Sequence, residues 1–229
     1  MTETSTHLAD LLRPARHVLL DFDGPVCSVF AGFPAPAVAK SLQEGLEVLG
    51  WQRPVEEQDE TDPLALLRLV AKHRLDLVSR ADRQLTSLET EAVRSGRPNP
   101  GGEAVLRACA ESGRAVSIVS NNATKAIESY LAAHDLARYV TRTVGRTPGD
   151  PASMKPNPRL LFEAMGGREA QDFIFVGDAA RDVEAGLAAG VGTIGYANKS
   201  GKRERLEAAG ALVVVDSMDS IASALSASM

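Results

Sequence analysis

The sequence predicts an α/β fold, a doubly wound parallel sheet with an all-helical block inserted after its first strand. Three observations lead there. From Gly101 onward, short apolar runs alternate with helical periodicity, the signature of parallel strands covered by helices on both faces. Between residues 33 and 98 the periodic stretches have helical spacing instead. Ahead of that block stands a single apolar run, His17-Val18-Leu19-Leu20, which breaks at Asp21-Phe22-Asp23-Gly24-Pro25. The expected layout is therefore a core made of 1–32 and 99–229, with 33–98 as a helical cap between them.

The apolar run reads as a buried strand, and Gly24-Pro25 forces a turn just beyond it, so Asp21 and Asp23 can converge above the strand tip. After Pro34-Ala35-Pro36, the spacing of Val38, Leu42, Leu46 and Leu49 predicts a helix that stops at Gly50. Thr61-Asp62-Pro63 supplies a cap and a first-turn proline for a second helix, with Leu66, Val70, His73 and Leu77 on one stripe. A third helix spans 81–94, and 95–100 is a breaker cluster. Helices are then expected over 103–111, 124–134, 181–189, near 202–209 and 218–226, with another after Lys155-Pro156-Asn157-Pro158. Strands are expected over 115–119, 139–144, 173–176, 192–195 and 212–215. No repeat or low-complexity tract interrupts the series.

Composition narrows the function classes. At 229 residues and 44% hydrophobic content the chain can bury a full core. A net charge of −5 with interspersed signs gives no footprint for nucleic acid or an anionic membrane. The N-terminal residues are polar and no apolar run approaches a membrane span, so a cytoplasmic location is expected. Cys27 and Cys109 are read as buried or half-buried thiols.

Ligands of open α/β sheets bind beyond the carboxyl ends of the strands. The polar clusters fall at such ends: Asp21 and Asp23 after the first strand, Ser120-Asn121 after 115–119, and Gly177-Asp178 with Asp182 after 173–176. Lys155 opens a helix on the same side. Each has an ordinary alternative. Ser120 could cap the next helix, Lys155 could be an exposed loop lysine, and Asp182 could simply favour a helix N-terminus. Trp51 is read as a helix-end packing residue, the four histidines as structural or surface groups, and Arg68, Arg74, Arg80 and Arg83 as mostly a solvated face.

Taken in order, Asp21-Phe22-Asp23-Gly24, Ser120-Asn121, Lys155-Pro156 and Gly177-Asp178-Ala179-Ala180-Arg181-Asp182 resemble the four motifs of the haloacid dehalogenase superfamily. The insert resembles that superfamily's first type of cap, and helical-capped, phosphoglycolate-phosphatase-like members are the nearest in kind. The resemblance implies a Rossmann-like core and a magnesium-dependent phosphatase that hydrolyses a small soluble phosphomonoester through an aspartyl-phosphate. It assigns Asp21 as nucleophile, Asp23 as acid and base, and Lys155 as a catalytic cation. Phosphate would be bound by Lys155, Ser120, Asn121 and the backbone at Phe22, and Mg2+ by Asp21, Asp23 through its carbonyl, Asp178 and Asp182. The partner it implies is a small phosphorylated metabolite, with no nucleic acid or membrane, for a monomer or homodimer.

That chemistry suits these residue types. A carboxylate nucleophile splits phosphoryl transfer into two steps, and the charge of the phosphoryl group calls for cationic neutralisation. Asp23 argues against a dehalogenase, which needs no acid there. Lys40 and Lys72 are the only lysines in 33–98 to consider for a phosphonate-cleaving Schiff base. Pro25 departs from the threonine of many members and removes an N–H and a hydroxyl near the nucleophile. A phosphosugar mutase of the same mechanism and a non-catalytic phospho-metabolite-binding protein remain as alternatives.

Overall fold

The computed structural model describes residues 3–228. Helix α1 (Glu3–Leu12) leads into β1 (His17–Leu20), and the two-residue β2 (Cys27–Ser28) follows the turn. Three helices come next: α2 (Ala35–Glu47), α3 (Pro63–His73) and α4 (Val78–Ala92). The chain returns through β3 (Arg97–Pro98) to α5 (Pro100–Glu111), β4 (Ala115–Val119), α6 (Thr124–Ala133), β5 (Arg142–Val144) and α7 (Arg159–Met165). It ends with β6 (Phe173–Gly177), α8 (Ala180–Ala189), β7 (Gly192–Tyr196), α9 (Lys202–Ala208), β8 (Val213–Val215) and α10 (Met218–Ala227).

Six strands form a parallel sheet in the order β5-β4-β1-β6-β7-β8. Strand β1 is central, and from it the order runs outward in both directions. The crossovers therefore diverge on either side of β1, and the crevice this opens lies at the tip of the strand carrying Asp21. Strand alternation divides the core. Val18 and Leu20 pack with Leu8, Leu106, Ile127 and Leu225 on one face, and Leu19 packs with Leu160, Leu161, Phe175 and Ala185 on the other. Helices α7 and α8 end at Gly166 and Gly190 in left-handed conformation, as helix stops commonly do.

Helices α2–α4 bury their own stripe of Val38, Leu42, Leu46, Leu66, Val70 and Leu85. Asp62 caps α3 by accepting from the Leu64 N–H at 2.9 Å, with Pro63 in the first turn. Strands β2 and β3 pair antiparallel, so the exit and return of the chain lie side by side.

The departures from expectation are local. Helix α1 and the β2–β3 ladder had no visible signal, the first being mostly polar and the second two residues per strand. The strand expected over 139–144 shortens to β5, because 137–139 forms a 3-10 turn. His73, placed on the apolar stripe of α3, is exposed at its end. Met1, Thr2 and Met229 lie outside the described residues. No described helix is long and apolar enough to cross a membrane.

Candidate active site

The turn after β1 is fixed by backbone hydrogen bonds. Asp21 N–H donates to Val176 O at 2.9 Å, and Gly24 N–H to Cys27 O at 2.6 Å. Gly24 has φ +108, and a Cβ there would collide with the Asp178 carboxylate. Asn99, the N-cap of α5, donates to Gly24 O at 3.0 Å and so ties the same turn to the returning chain. Phe22 is fully buried and meets Tyr130 edge-on at 5.4 Å, anchoring the turn from beneath.

The strand-end residues converge as the sequence suggests. Asp21, Asp23, Ser120, Asn121, Lys155, Asp178 and Asp182 all line one cleft of about 200 Å³. Lys155 lies at its floor, 1% exposed rather than on a surface loop, and in a turn ahead of α7 rather than in a helix. Its ammonium contacts Asp21 Oδ1 at 2.9 Å, Asp182 Oδ1 at 2.7 Å and Val119 O at 3.0 Å, which engages all three donors. Burial alone would pull the Lys155 pKa down, but Asp182 and Asp21 outweigh it and hold it above the ordinary value.

The carboxylates differ in environment. Burial raises Asp21 to about 7, against the downward pull of Lys155. Burial likewise raises Asp23 to about 6, although its Oδ1 accepts from the Val29 N–H at 2.9 Å. Asp178 is raised by burial while its Oδ2 is held by Lys202 and by Asn198 Nδ2 at 2.9 Å. Asp182 Oδ2 accepts from the N–H groups of Asp178 and Ala179 at 3.1 and 3.0 Å, the N-terminal position its ordinary alternative implies, while Oδ1 serves Lys155. One residue thus sets both the lysine and the Asp178 backbone.

Oxygens of Asp21, Asp178 and Asp182 lie within 4.8 Å of one another. Hard carboxylate oxygens in that cluster suit a small divalent cation such as Mg2+. Asn121 reaches Lys155 through its backbone, accepting from its N–H at 2.8 Å and donating to its carbonyl at 3.2 Å, so the carboxamide is occupied in shaping the loop. Ser120 Oγ borders the cleft and interacts at 3.3 Å with Asn122.

Several contributors were not assigned a role at the site from sequence. Arg146, 2% exposed, donates to Asp82 Oδ1 at 2.6 Å, to Glu89 Oε1 at 3.1 Å and to Asn121 O at 2.9 Å. Glu89 also accepts from Asn122 Nδ2 and the Ala123 N–H, each at 3.0 Å. Helix α4 is thereby clamped to the loop holding Ser120 and Asn121. Arg68, expected on a solvated face, donates from α3 to Lys155 O at 2.9 Å. Asp62 reaches across to Arg181 at 3.9 Å, and with Leu64 borders the cleft. Trp51, 1% exposed, packs in the helical block as read. Asp62 and Asn99 had a readable signal, each as a cap before proline; Arg146 sits in a Pro/Gly-rich loop without periodicity.

A family model described as haloacid dehalogenase-like hydrolase matches residues 68–196. A phosphoglycolate phosphatase of Photorhabdus laumondii subsp. laumondii is 24% identical over 192 residues, 81% of each chain. One of Salmonella typhimurium is 28% identical over 120 residues, 52% of this chain and 48% of that protein. Among solved structures, a predicted phosphatase from Clostridium acetobutylicum superposes with a TM-score of 0.69 at 21% identity, covering 91% of this chain and 97% of that one. A predicted phosphoglycolate phosphatase from Haemophilus somnus 129PT gives 0.65 at 18%, covering 91% and 96%.

Proposed function

The chain belongs to the haloacid dehalogenase-like hydrolases, and from that premise we propose that it is a magnesium-dependent phosphatase acting on a small phosphomonoester through an aspartyl-phosphate. The observation that carries the reading is the unequal pair at the tip of β1: Asp21 is ion-paired to Lys155 at 2.9 Å, while Asp23 is turned toward the Val29 N–H at 2.9 Å. Two carboxyl groups in different environments divide nucleophile from acid.

Asp21 attacks phosphorus, and the bond to the ester oxygen breaks. Asp23, protonated, gives its proton to that oxygen, and the alcohol leaves. Asp23 then takes a proton from water as the water attacks the phosphoryl group, which releases phosphate and restores Asp21. Lys155 holds Asp21 in place and offsets its charge between the steps. Ser120 and the backbone N–H groups after Asp21 supply donors to the phosphoryl oxygens. Magnesium would be held by Asp21, Asp178 and the Asp23 carbonyl, with Asp182 behind them, and would neutralise phosphoryl charge.

Residues 33–98 act as the cap in this reading. Asp62, Leu64 and Ala35 present it to the cleft, so the leaving group is chosen there. The small soluble substrate that the resemblance implies, and the cytoplasmic location expected from the polar N-terminal residues and the lack of an apolar span, belong to the same proposal. Phosphoglycolate, named for the relatives, is the first substrate to try. The test is phosphate release together with mass analysis of the Asp21 peptide after rapid quenching. Absence of both release and adduct across a panel of phosphomonoesters refutes the reading, and a phosphorylated sugar isomer as product instead of phosphate favours the mutase.

A further inference from the structure

Beyond Asp23 and Asp178 the cleft opens into a second lobe of about 670 Å³. The two lobes share Asp23, Phe30, Ala35, Asp178 and Arg181, so they are continuous and a molecule with its phosphoryl group at Asp21 has room to extend into the second. The walls of that lobe are unlike. Phe30, Ala31 and Ala35 form an apolar side, and Arg181, Lys199, Lys202 and Arg205 form a cationic one.

The cationic wall runs against the charge of the chain as a whole, which is −5. It also exceeds what its neighbours neutralise. Lys202 pairs with Asp178 and Arg181 lies 3.9 Å from Asp62, whereas Lys199 and Arg205 make no ion pair among the described residues. An anion entering a cleft floored by Asp21, Asp23, Asp178 and Asp182 meets repulsion, and cations at the far end offset it where the substrate's own charge can reach them.

Asn198, which also lines the lobe, donates from Nδ2 to Asp178 Oδ2 at 2.9 Å and so holds that carboxylate at the boundary between the lobes. We infer that Lys199 and Arg205 receive a second anionic group of the substrate in the outer lobe, a carboxylate or a second phosphate remote from the transferred phosphoryl group, and so set the enzyme's preference among phosphomonoesters. This rests on the phosphatase reading above.

The test uses matched pairs on the full chain with magnesium. 3-Phosphoglycerate and glycerol 3-phosphate differ in a carboxylate, and fructose 1,6-bisphosphate and fructose 6-phosphate differ in a phosphate. At least one pair should favour its more anionic member in kcat/KM by tenfold or more, and which pair does so distinguishes carboxylate from phosphate. In Lys199→Glu/Arg205→Glu that preference should collapse by at least tenfold, through a raised KM on the more anionic member. No preference in either pair overturns the inference. So does a double variant that loses activity on both members equally, since the lobe would then act only as a general field. p-Nitrophenyl phosphate serves as the separating control. If it is hydrolysed while the pairs show no preference, this inference alone falls; if neither it nor any pair is hydrolysed, the phosphatase reading falls and takes the inference with it.

Discussion

Glu89→Ala should be the most damaging single change outside the cleft. Glu89 is fully buried, and its two oxygens take donors from Asn122 at 3.0 Å, Ala123 at 3.0 Å and Arg146 at 3.1 and 3.2 Å. Truncation leaves Arg146 with Asp82 as its remaining carboxylate and strands a backbone N–H and a carboxamide. Breaking a buried ion pair from one side costs about 3–5 kcal/mol, and stranded buried donors about 1–3 kcal/mol each. These terms overlap, because Asp82 still pairs with Arg146 and water can enter, so about 4 kcal/mol is the expected loss. Against a total of about 5–15 kcal/mol that is a large share, and at ~2–4 °C per kcal/mol it lowers the melting temperature by roughly 10 °C. Urea denaturation with linear extrapolation measures it. A loss below about 1 kcal/mol would refute the argument that this cluster clamps α4 to the loop of Ser120 and Asn121.

Asp21→Ala should fold normally and retain less than a tenth of wild-type turnover, with no phosphoryl mass on the β1 peptide; higher activity would reassign the nucleophile. Chelation with EDTA should abolish turnover and added magnesium should restore it, whereas undiminished activity in metal-free buffer would exclude the metal. Asp23 has a pKa raised from 3.8 to about 6 in the folded chain, so the folded state binds its proton more tightly than the unfolded one. Its contribution to stability is therefore present below about pH 4 and declines as pH rises toward 6. Asp23→Asn keeps the acceptor for Val29, and in metal-free buffer its melting temperature relative to wild type should rise over that window and level off above it. An offset that is flat between pH 4 and 7 would count against a perturbed Asp23. Gly24→Ala should cost about 1–3 kcal/mol and most of the activity, since its φ of +108 is compounded by collision with Asp178, whereas Gly50→Ala, at φ +77 in open space, should cost about 1 kcal/mol and leave turnover intact. Equal penalties, read by thermal melts, would show that the Asp178 contact is immaterial.

Much of the fold was legible because its signals are local. The runs 115–119 and 173–177 alternate with amphipathic helices, and parallel strands buried on both faces leave little other arrangement for such a pattern. The candidate site was legible for the same reason: Asp21, Ser120 and Asp178 each follow a strand directly, and strand ends in one sheet face one rim. Lys155 was placed near the rim, but its burial was not foreseeable, because two carboxylates from distant segments create it. Arg146, Glu89 and Asp82 escaped notice because charged residues on a loop and a helix ordinarily face water, and only the packing of α4 against the core reverses that. Asn198 and Lys202 lie after β7, where no motif marks them, and become informative only through Asp178.

The side-by-side exit and return of the chain at β2 and β3 makes residues 29–96 resemble a module plugged into a single socket. Lengthening or exchanging such a module leaves the ends of the core where they are, since paired strands hold them together whatever lies between. Arg146 qualifies that freedom. A transplanted insert that brings no carboxylates to the places of Asp82 and Glu89 strands a buried guanidinium in the recipient core, so the exchange succeeds only when the core residue changes with it. Natural or engineered shuffling of this segment is therefore a two-site event, with position 146 and the α4 face inherited or replaced together.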